Sequence, residues 1–207
     1  MQERARQLRA ELATRRSVRQ FSSEPVPAGV IEDCIAAAAS APSGANQQPW
    51  TFVLVSDAQL KQDIRAAAEA EERRNYQDRM SAEWREALAP LGTDWHKPHI
   101  TDAPHVIVVF EQVYSLRPGA AGANERMRHY YVEESVGIAV GFLLATLHHA
   151  GVASLVHTPS PMNFLRTLLG RPDNERAFVL IPVGFPTPDA QVPRLPRKTL
   201  QDVLVRR

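Results

Sequence analysis

Three observations predict a single layered domain that mixes helices and strands, α/β or α+β. Short apolar runs rich in β-branched residues alternate with longer segments of helical periodicity. The 207 residues are enough for one core of good size. No internal repeat, and no linker long enough to divide the chain, interrupts that alternation.

Residues 2–13 read as a polar helix. Val30, Ile31, Cys34, Ile35 and Ala38 recur at helical spacing and predict a helix over 28–40. TFVLVS at 51–56 and HVIVVF at 105–110 are strands by composition. Between them, 58–91 is helical and heavily charged. Residues 130–150 carry apolar side chains on nearly every side, from Val136 through Ile138, Phe142 and Leu143 to Leu147. A helix apolar all round is expected to be buried. Gly151 supplies its stop. VASLVH at 152–157 is a strand, 162–169 a short helix and AFVLIPVG at 177–184 another strand. Leu116 to Arg126, rich in Gly and Ala, is expected to be mobile. The tail, 187–207, carries Pro188, Pro193 and Pro196 and reads as an extended arm in need of a surface to lie on.

Composition excludes several classes. The apolar fraction is 44%, the charged fraction 23% and the formal net charge +1, so no global field draws the chain to nucleic acid or membrane. Cys34 is the only cysteine, which rules out an intrachain disulfide. The seven histidines lack metal-ligand spacing, with adjacent His148 and His149 expected on different sides of a helix, so no metal is predicted. With no apolar run near the ~20 residues of a membrane span, the expected location is the cytoplasm. Charge is uneven all the same: arginines crowd both ends, and a fold that joins the ends makes a local basic site.

The first informative stretch is Arg15-Arg16-Ser17-Val18-Arg19-Gln20-Phe21. Guanidinium forks and a hydroxyl match phosphate oxygens, although a short basic run is more often a solvated face. The second is Ala41-Pro42-Ser43-Gly44-Ala45-Asn46-Gln47-Gln48-Pro49-Trp50, between a helix and a strand. Small residues there let a flat ring or a phosphate approach the backbone; taken alone, it is an ordinary turn.

Together, R-R-S-x-R-x-F, a helix, and A-P-S-G-x-x-x-x-P-W-x-F resemble the opening of the FMN-dependent nitroreductase superfamily. The resemblance continues in order through Thr158-Pro159, Leu168-Leu169-Gly170-Arg171-Pro172, Pro182-Val183-Gly184 and Arg197-Lys198, nearly the whole chain. It implies an α+β fold of three layers, α/β/α, in an intertwined homodimer whose C-terminal arms exchange. It also implies one FMN in each of two interface sites. By this resemblance Arg15, Arg16, Ser17, Val18, Arg19 and Arg197 hold the FMN phosphate and ribityl chain. Ser43 and Gly44 contact FMN from the other subunit, and Val156, His157 and Thr158 run beside the flavin ring.

The segment E-x-x-N-Y-x-x-R-M-x-x-x-W, Glu72 to Trp84, followed by Asp94-Trp95-His96-Lys97, resembles the active-site lid of the iodotyrosine deiodinase subgroup, here residues 66–100. His129-Tyr130-Tyr131-x-Glu133-x-Ser135-Val136 fits the same subgroup. Helical spacing puts Glu72, Tyr76, Met80, Trp84 and Leu88 in one stripe. Packing against the core accounts for the last three, but not for a carboxylate at the head of the stripe. With the resemblance, Glu72 is expected to neutralise a substrate ammonium, Lys97 its carboxylate, and Tyr76 to bond the same head group. The Ala45 N–H is expected on a halotyrosine phenolate. Thr158, catalytic by the same resemblance, places its hydroxyl near flavin N5; otherwise it is a strand-end residue bonding its own backbone. The expected activity is reductive dehalogenation of a halotyrosine, with electrons from NAD(P)H or a separate reductase. A general nitroreductase or quinone reductase, and a non-catalytic flavin or aromatic amino acid binder, are the alternatives.

Overall fold

The computed structural model describes residues 1–118 and 124–207. A four-stranded antiparallel sheet organises it. Its strands are β1 (Trp50–Val55), β2 (His105–Gln112), β5 (Ala153–Ser154) and β6 (Glu175–Gly184), ordered β1-β2-β6-β5. The period-2 alternation of β2 sorts its side chains between two helical layers. Ile107 and Val109 face α2 (Ala28–Ala39) and α6 (Val132–His149), packing with Ile31, Cys34, Ala38, Val136, Ala139 and Leu143. Val106, Val108 and Phe110 face the other way, toward Ile64 of α3 (Ala58–Arg74), Ile100 of α5 (His99–Asp102) and Leu165 of α7 (Asn163–Leu168). The result is the three-layer α/β/α, α+β architecture expected. A bulge in β6, where Val109 pairs Val179 but Phe110 pairs Ala177, keeps both layers in register.

Four expectations need correction. The helix α6 is not buried all round: Ile138 and Phe142 are each 43% exposed, on a face that nothing in this chain covers among the described residues. The strand over 152–157 is regular only at Ala153–Ser154, because beyond it a single bridge, His157 to Leu180, continues the pairing. The ends of the stretch Leu116 to Arg126 are ordered as a two-stranded ladder, β3 (Tyr114–Pro118) on β4 (Asn124–Arg128); residues 119–123 lie outside the described residues. Lastly, the single stripe from Glu72 to Leu88 is broken. After α3 the chain makes one wide turn, Asn75–Arg79, and goes extended at Met80; Ser81 then caps α4 (Ala82–Leu88). Trp84 is left 56% exposed.

The chain ends do meet. Helix α1 (Gln2–Thr14) rests on the C-terminal end of α6, where His148 Nε2 is 2.9 Å from Thr14 Oγ1 and His149 Nδ1 is 2.7 Å from Glu11 Oε1. Both histidines therefore meet α1 instead of diverging. Among the described residues no helix is long and apolar enough to cross a membrane, and no cluster of His, Cys, Asp or Glu has the arrangement of a metal site. Past Thr187 the chain runs extended to a short helix, α8 (Leu200–Val203), and leaves Leu195, Leu200, Val203, Leu204 and Val205 exposed.

Candidate active site

Ser17 forms a parallel bridge with Ser154, and the Val18 N–H donates to Ser154 O at 3.2 Å. With Val18 buried, this stitch fixes the basic segment beside the chain that leads to Val156, His157 and Thr158. The arm approaches from the other side. Arg197 Nη2 donates to Arg15 O at 2.7 Å, and its Nη1 reaches the carbonyls of Leu12 and Ala13 at 3.4 and 3.3 Å. This guanidinium thus caps the C-terminal end of α1, where cations are favoured. Arg15, Arg16, Ser17, Arg19 and Arg197 line one cavity of about 240 Å³. Burial first, then Arg197 and Arg16, lower the Arg15 pKa; burial lowers that of Arg19. Crowded cations with no acid among the cavity's lining residues are what a phosphate would stabilise.

A second cavity, about 400 Å³, shares Arg19, Leu91 and Pro193 with the first and extends past Thr93 and Asp94 to His99. Glu72, from the last turn of α3, lies close by. Its Oε2 is 3.2 Å from Lys97 Nζ, and the two side chains are only 12% and 4% exposed. Lys97 also donates from Nζ to Asp94 O, and its backbone N–H donates to Glu69 Oε1 at 2.8 Å. The Tyr76 hydroxyl donates to Thr93 O at 3.1 Å while its ring faces Lys97 Nζ at 6.0 Å. Burial, then Glu72, raise the Tyr76 pKa, which keeps it a phenol. The wide turn is tied down by Asn75 Nδ2, which donates to Ser160 O at 2.7 Å, so it leans on the segment that follows Thr158. Thr158 itself is exposed, and no partner for its hydroxyl is found among the described residues.

The loop Ser43–Ala45 stands apart from these residues. Gly44 N–H donates to Ser135 Oγ at 3.1 Å, and a Cβ on Gly44 would fall 2.7 Å from Tyr130 O, so only glycine fits. Ser43 Oγ accepts from Gln48 N–H at 2.9 Å. Ala45, Asn46 and Gln48 all adopt left-handed φ, at 49°, 54° and 47°. Each such non-glycine residue costs on the order of 1 kcal/mol. The N–H groups of Asn46 and Gln47 are satisfied within the loop, whereas no partner for the Ala45 N–H is found among the described residues. Among the described residues, none of this loop lines the arginine cavity. Another concavity, about 620 Å³, lies elsewhere, between β3–β4 and the start of α6, and its Arg126, Arg128 and Arg176 are matched by Glu111, Glu133 and Glu134.

Residues 12–185 match the model of the nitroreductase family. The chain belongs to the nitroreductase family. Within the family, the iodotyrosine deiodinase of Haliscomenobacter hydrossis is 55% identical over 191 residues, covering 92% of this chain and 84% of that protein. The iodotyrosine deiodinase of Nematostella vectensis is 43% identical over 99% of this chain and 76% of its own length. A crystal structure of oxidised iodotyrosine deiodinase bound to FMN and 3-iodo-L-tyrosine superposes with a TM-score of 0.83 at 32% identity, covering 96% of this chain and 97% of that one.

The sequence left out the residues that aim the others. Glu69 and Asp94 orient Lys97, and Asn75 anchors the wide turn. Glu69 is three residues before Glu72, so helical spacing places it near the same face and is the one signal that pointed to it. Nothing in the sequence pattern marks His99, which lies edge-on to His157 with ring centroids 5.2 Å apart.

Proposed function

We propose that this protein is an FMN-dependent reductive dehalogenase of halotyrosines, acting as a homodimer. The observation that carries the proposal is the buried Glu72–Lys97 pair beside Tyr76, one cavity away from the arginine cluster. A zwitterionic head group presents an ammonium and a carboxylate, and it can engage both members of such a pair at once. Arg15, Arg16, Ser17, Arg19 and Arg197 would hold the FMN phosphate, with Val18 fixing the segment and Val156 and His157 beside the ring. FMN, when bound and reduced, would supply the two electrons that, with a proton, replace the carbon–halogen bond by a carbon–hydrogen bond and release halide.

The protein's own part is binding, orientation and exclusion of water. Residues 66–100 would act as the lid, Glu72 taking the ammonium, Lys97 the carboxylate and Tyr76 bonding the head group. Thr158 would donate its free hydroxyl to the flavin at N5. Ala45, whose left-handed backbone leaves its N–H free, would hold the substrate phenolate. Since the loop Ser43–Ala45 does not line the arginine cavity of its own chain, it would serve the partner's site. The bare face of α6 at Ile138 and Phe142 and the exposed apolar residues of the arm, 187–207, supply surface for that partner. The electron donor would be NAD(P)H or a separate reductase.

Anaerobic mixing of the reduced protein with 3-iodotyrosine tests this reading. Flavin oxidation with stoichiometric iodide and tyrosine is expected. Oxidation by nitroaromatics or quinones but by no halotyrosine would make the protein a general reductase. Oxidation by none of them would make it a binding protein.

A further inference from the structure

His157 has both ring nitrogens buried and without a hydrogen-bond partner among the described residues. Its side chain is 11% exposed, and its place is fixed by two backbone hydrogen bonds with Leu180, 2.9 and 3.0 Å. Leaving both polar ring atoms of a buried imidazole unsatisfied costs on the order of 1–3 kcal/mol each, so such an arrangement calls for an explanation. Resting on the halotyrosine reading, we propose that His157 is a further specificity-determining residue whose Nε2 accepts a hydrogen bond from the ligand's ammonium.

The geometry comes from Glu72. Its Oε2 faces Lys97, while Oε1 stands 4.0 Å from His157 Nε2, too far for a bond between the two. Two acceptors at that separation can both sit at hydrogen-bond distance from a single nitrogen placed between them. They then subtend about 90° there, close to the spread of N–H directions on an ammonium. The ligand's carboxylate draws Lys97 away from Glu72, and the ammonium takes the position between Oε1 and Nε2. The groups facing His157 are Glu72, Lys97, Arg19 and His99. Burial first, then His99, Lys97 and Arg19, push its pKa down to about 2, so the ring is neutral at physiological pH and Nε2 keeps a lone pair in one tautomer. A protonated ring at this position would repel the ammonium.

The test uses the flavin-loaded protein and two probes, 3-iodotyrosine and the acid that differs only in lacking its amine, 3-(4-hydroxy-3-iodophenyl)propionate. Binding is read by quenching of flavin fluorescence. His157→Leu should lower the preference for iodotyrosine over the des-amino acid about tenfold. His157→Gln, with an acceptor at its tip, should recover most of the loss. In the unaltered protein the preference for iodotyrosine should stay constant between pH 5 and 8. That last measurement needs no variant and keeps the role open to refutation if His157→Leu fails to fold: a preference that collapses below pH 6.5 would overturn it. Equal weakening of both probes, a preference that survives His157→Leu, or loss of flavin without loss of preference would also overturn it. If the unaltered protein binds the two probes alike, the halotyrosine reading itself falls; if it prefers iodotyrosine and His157→Leu does too, only the role of His157 falls.

Discussion

Lys97 Nζ lies 3.2 Å from Glu72 Oε2 with both side chains almost wholly out of water. In a site this dry the sum of charges matters more than their number. Glu72 and Lys97 sum to zero. At the head-group end, where the pair lies, a zwitterion keeps the sum at zero, a halophenol adds nothing, and a ligand with a single head-group charge leaves it unbalanced; the phenolate, common to all four ligands, is set apart at Ala45. Iodotyrosine should therefore bind best, 2-iodophenol next, and iodotyramine or the des-amino acid worst. Titration of the four ligands at one pH checks the order; tighter binding of either singly charged ligand than of the phenol contradicts it.

Removing one member of the pair orphans the other. Glu72→Gln or Lys97→Gln should cost on the order of 3–5 kcal/mol of stability and weaken iodotyrosine about ten- to a hundredfold. The double variant, with no buried charge left, should regain much of the stability and none of the affinity. Urea unfolding and ligand titration on the same samples separate the two effects. A single variant as stable as the parent would mean that the pair is solvated.

The arginine cavity predicts how flavin is lost. Arg19→Glu puts a carboxylate where a phosphate would lie, and Arg197→Glu does so from the arm. Either should release FMN on gel filtration while the core still unfolds cooperatively in urea. Arg197→Glu should also loosen the end of α1, since Arg197 donates to the carbonyls of Leu12, Ala13 and Arg15 there. Full retention of flavin by both variants would move the phosphate site elsewhere.

Thr158 supplies a hydroxyl, not a charge, and it is not among the residues lining the arginine cavity. Thr158→Ala should bind FMN and iodotyrosine as the parent does. It should lose dehalogenation about tenfold or more, on the scale of a lost hydrogen bond, while reduction of nitroaromatics persists or rises. The ratio of the two turnover rates, measured with one reductant, is the readout. Equal losses in both activities would remove Thr158 from the chemistry.

What the sequence shows and hides follows from the range of the forces involved. The α2 periodicity, the β-branched runs of β1, β2 and β6, and the Gly151 stop, with φ of 79°, are local signals, and each element formed where they put it. The clustering of Arg15 with Arg197 spans 182 residues, and it was readable only through motif order. Helical spacing failed between Glu72 and Leu88 because the chain leaves helical geometry at Met80, and Ser81, a good N-cap, restarts it. Periodicity had no information about that break. The exposure of Ile138 and Phe142 was hidden for another reason: a helix that is apolar all round looks the same whether a second chain or its own core covers it.

Acid should unfold this protein through two histidines before its carboxylates matter. In the folded state burial first, then Lys97, Arg19 and Arg65, lower the pKa of His99 to about 3, and burial with its cationic neighbours lowers His157 to about 2. In the unfolded chain both return to about 6.5. Between those limits the unfolded chain binds protons that the folded protein refuses, so stability rises with pH and is lost as pH falls below 6.5. At pH 5 the loss is on the order of 2 kcal/mol for each histidine. Glu69 and Glu175 are held below the usual carboxylate range, against the effect of burial, by partners that include the Lys97 N–H and Arg65 for the one and Arg171 and Thr51 for the other; their contribution is lost only at lower pH. His99→Phe keeps the edge-on aromatic contact with His157 but removes one titration. Urea unfolding of the two proteins from pH 5 to 8 should give stability curves that are parallel above 7. Below 6.5 the curve of the variant should be flatter by about 1.4 kcal/mol per pH unit. Curves that stay parallel down to pH 5 would mean that His99 takes up its proton in the folded state, and the dry neutral environment assigned to this corner of the site would be wrong.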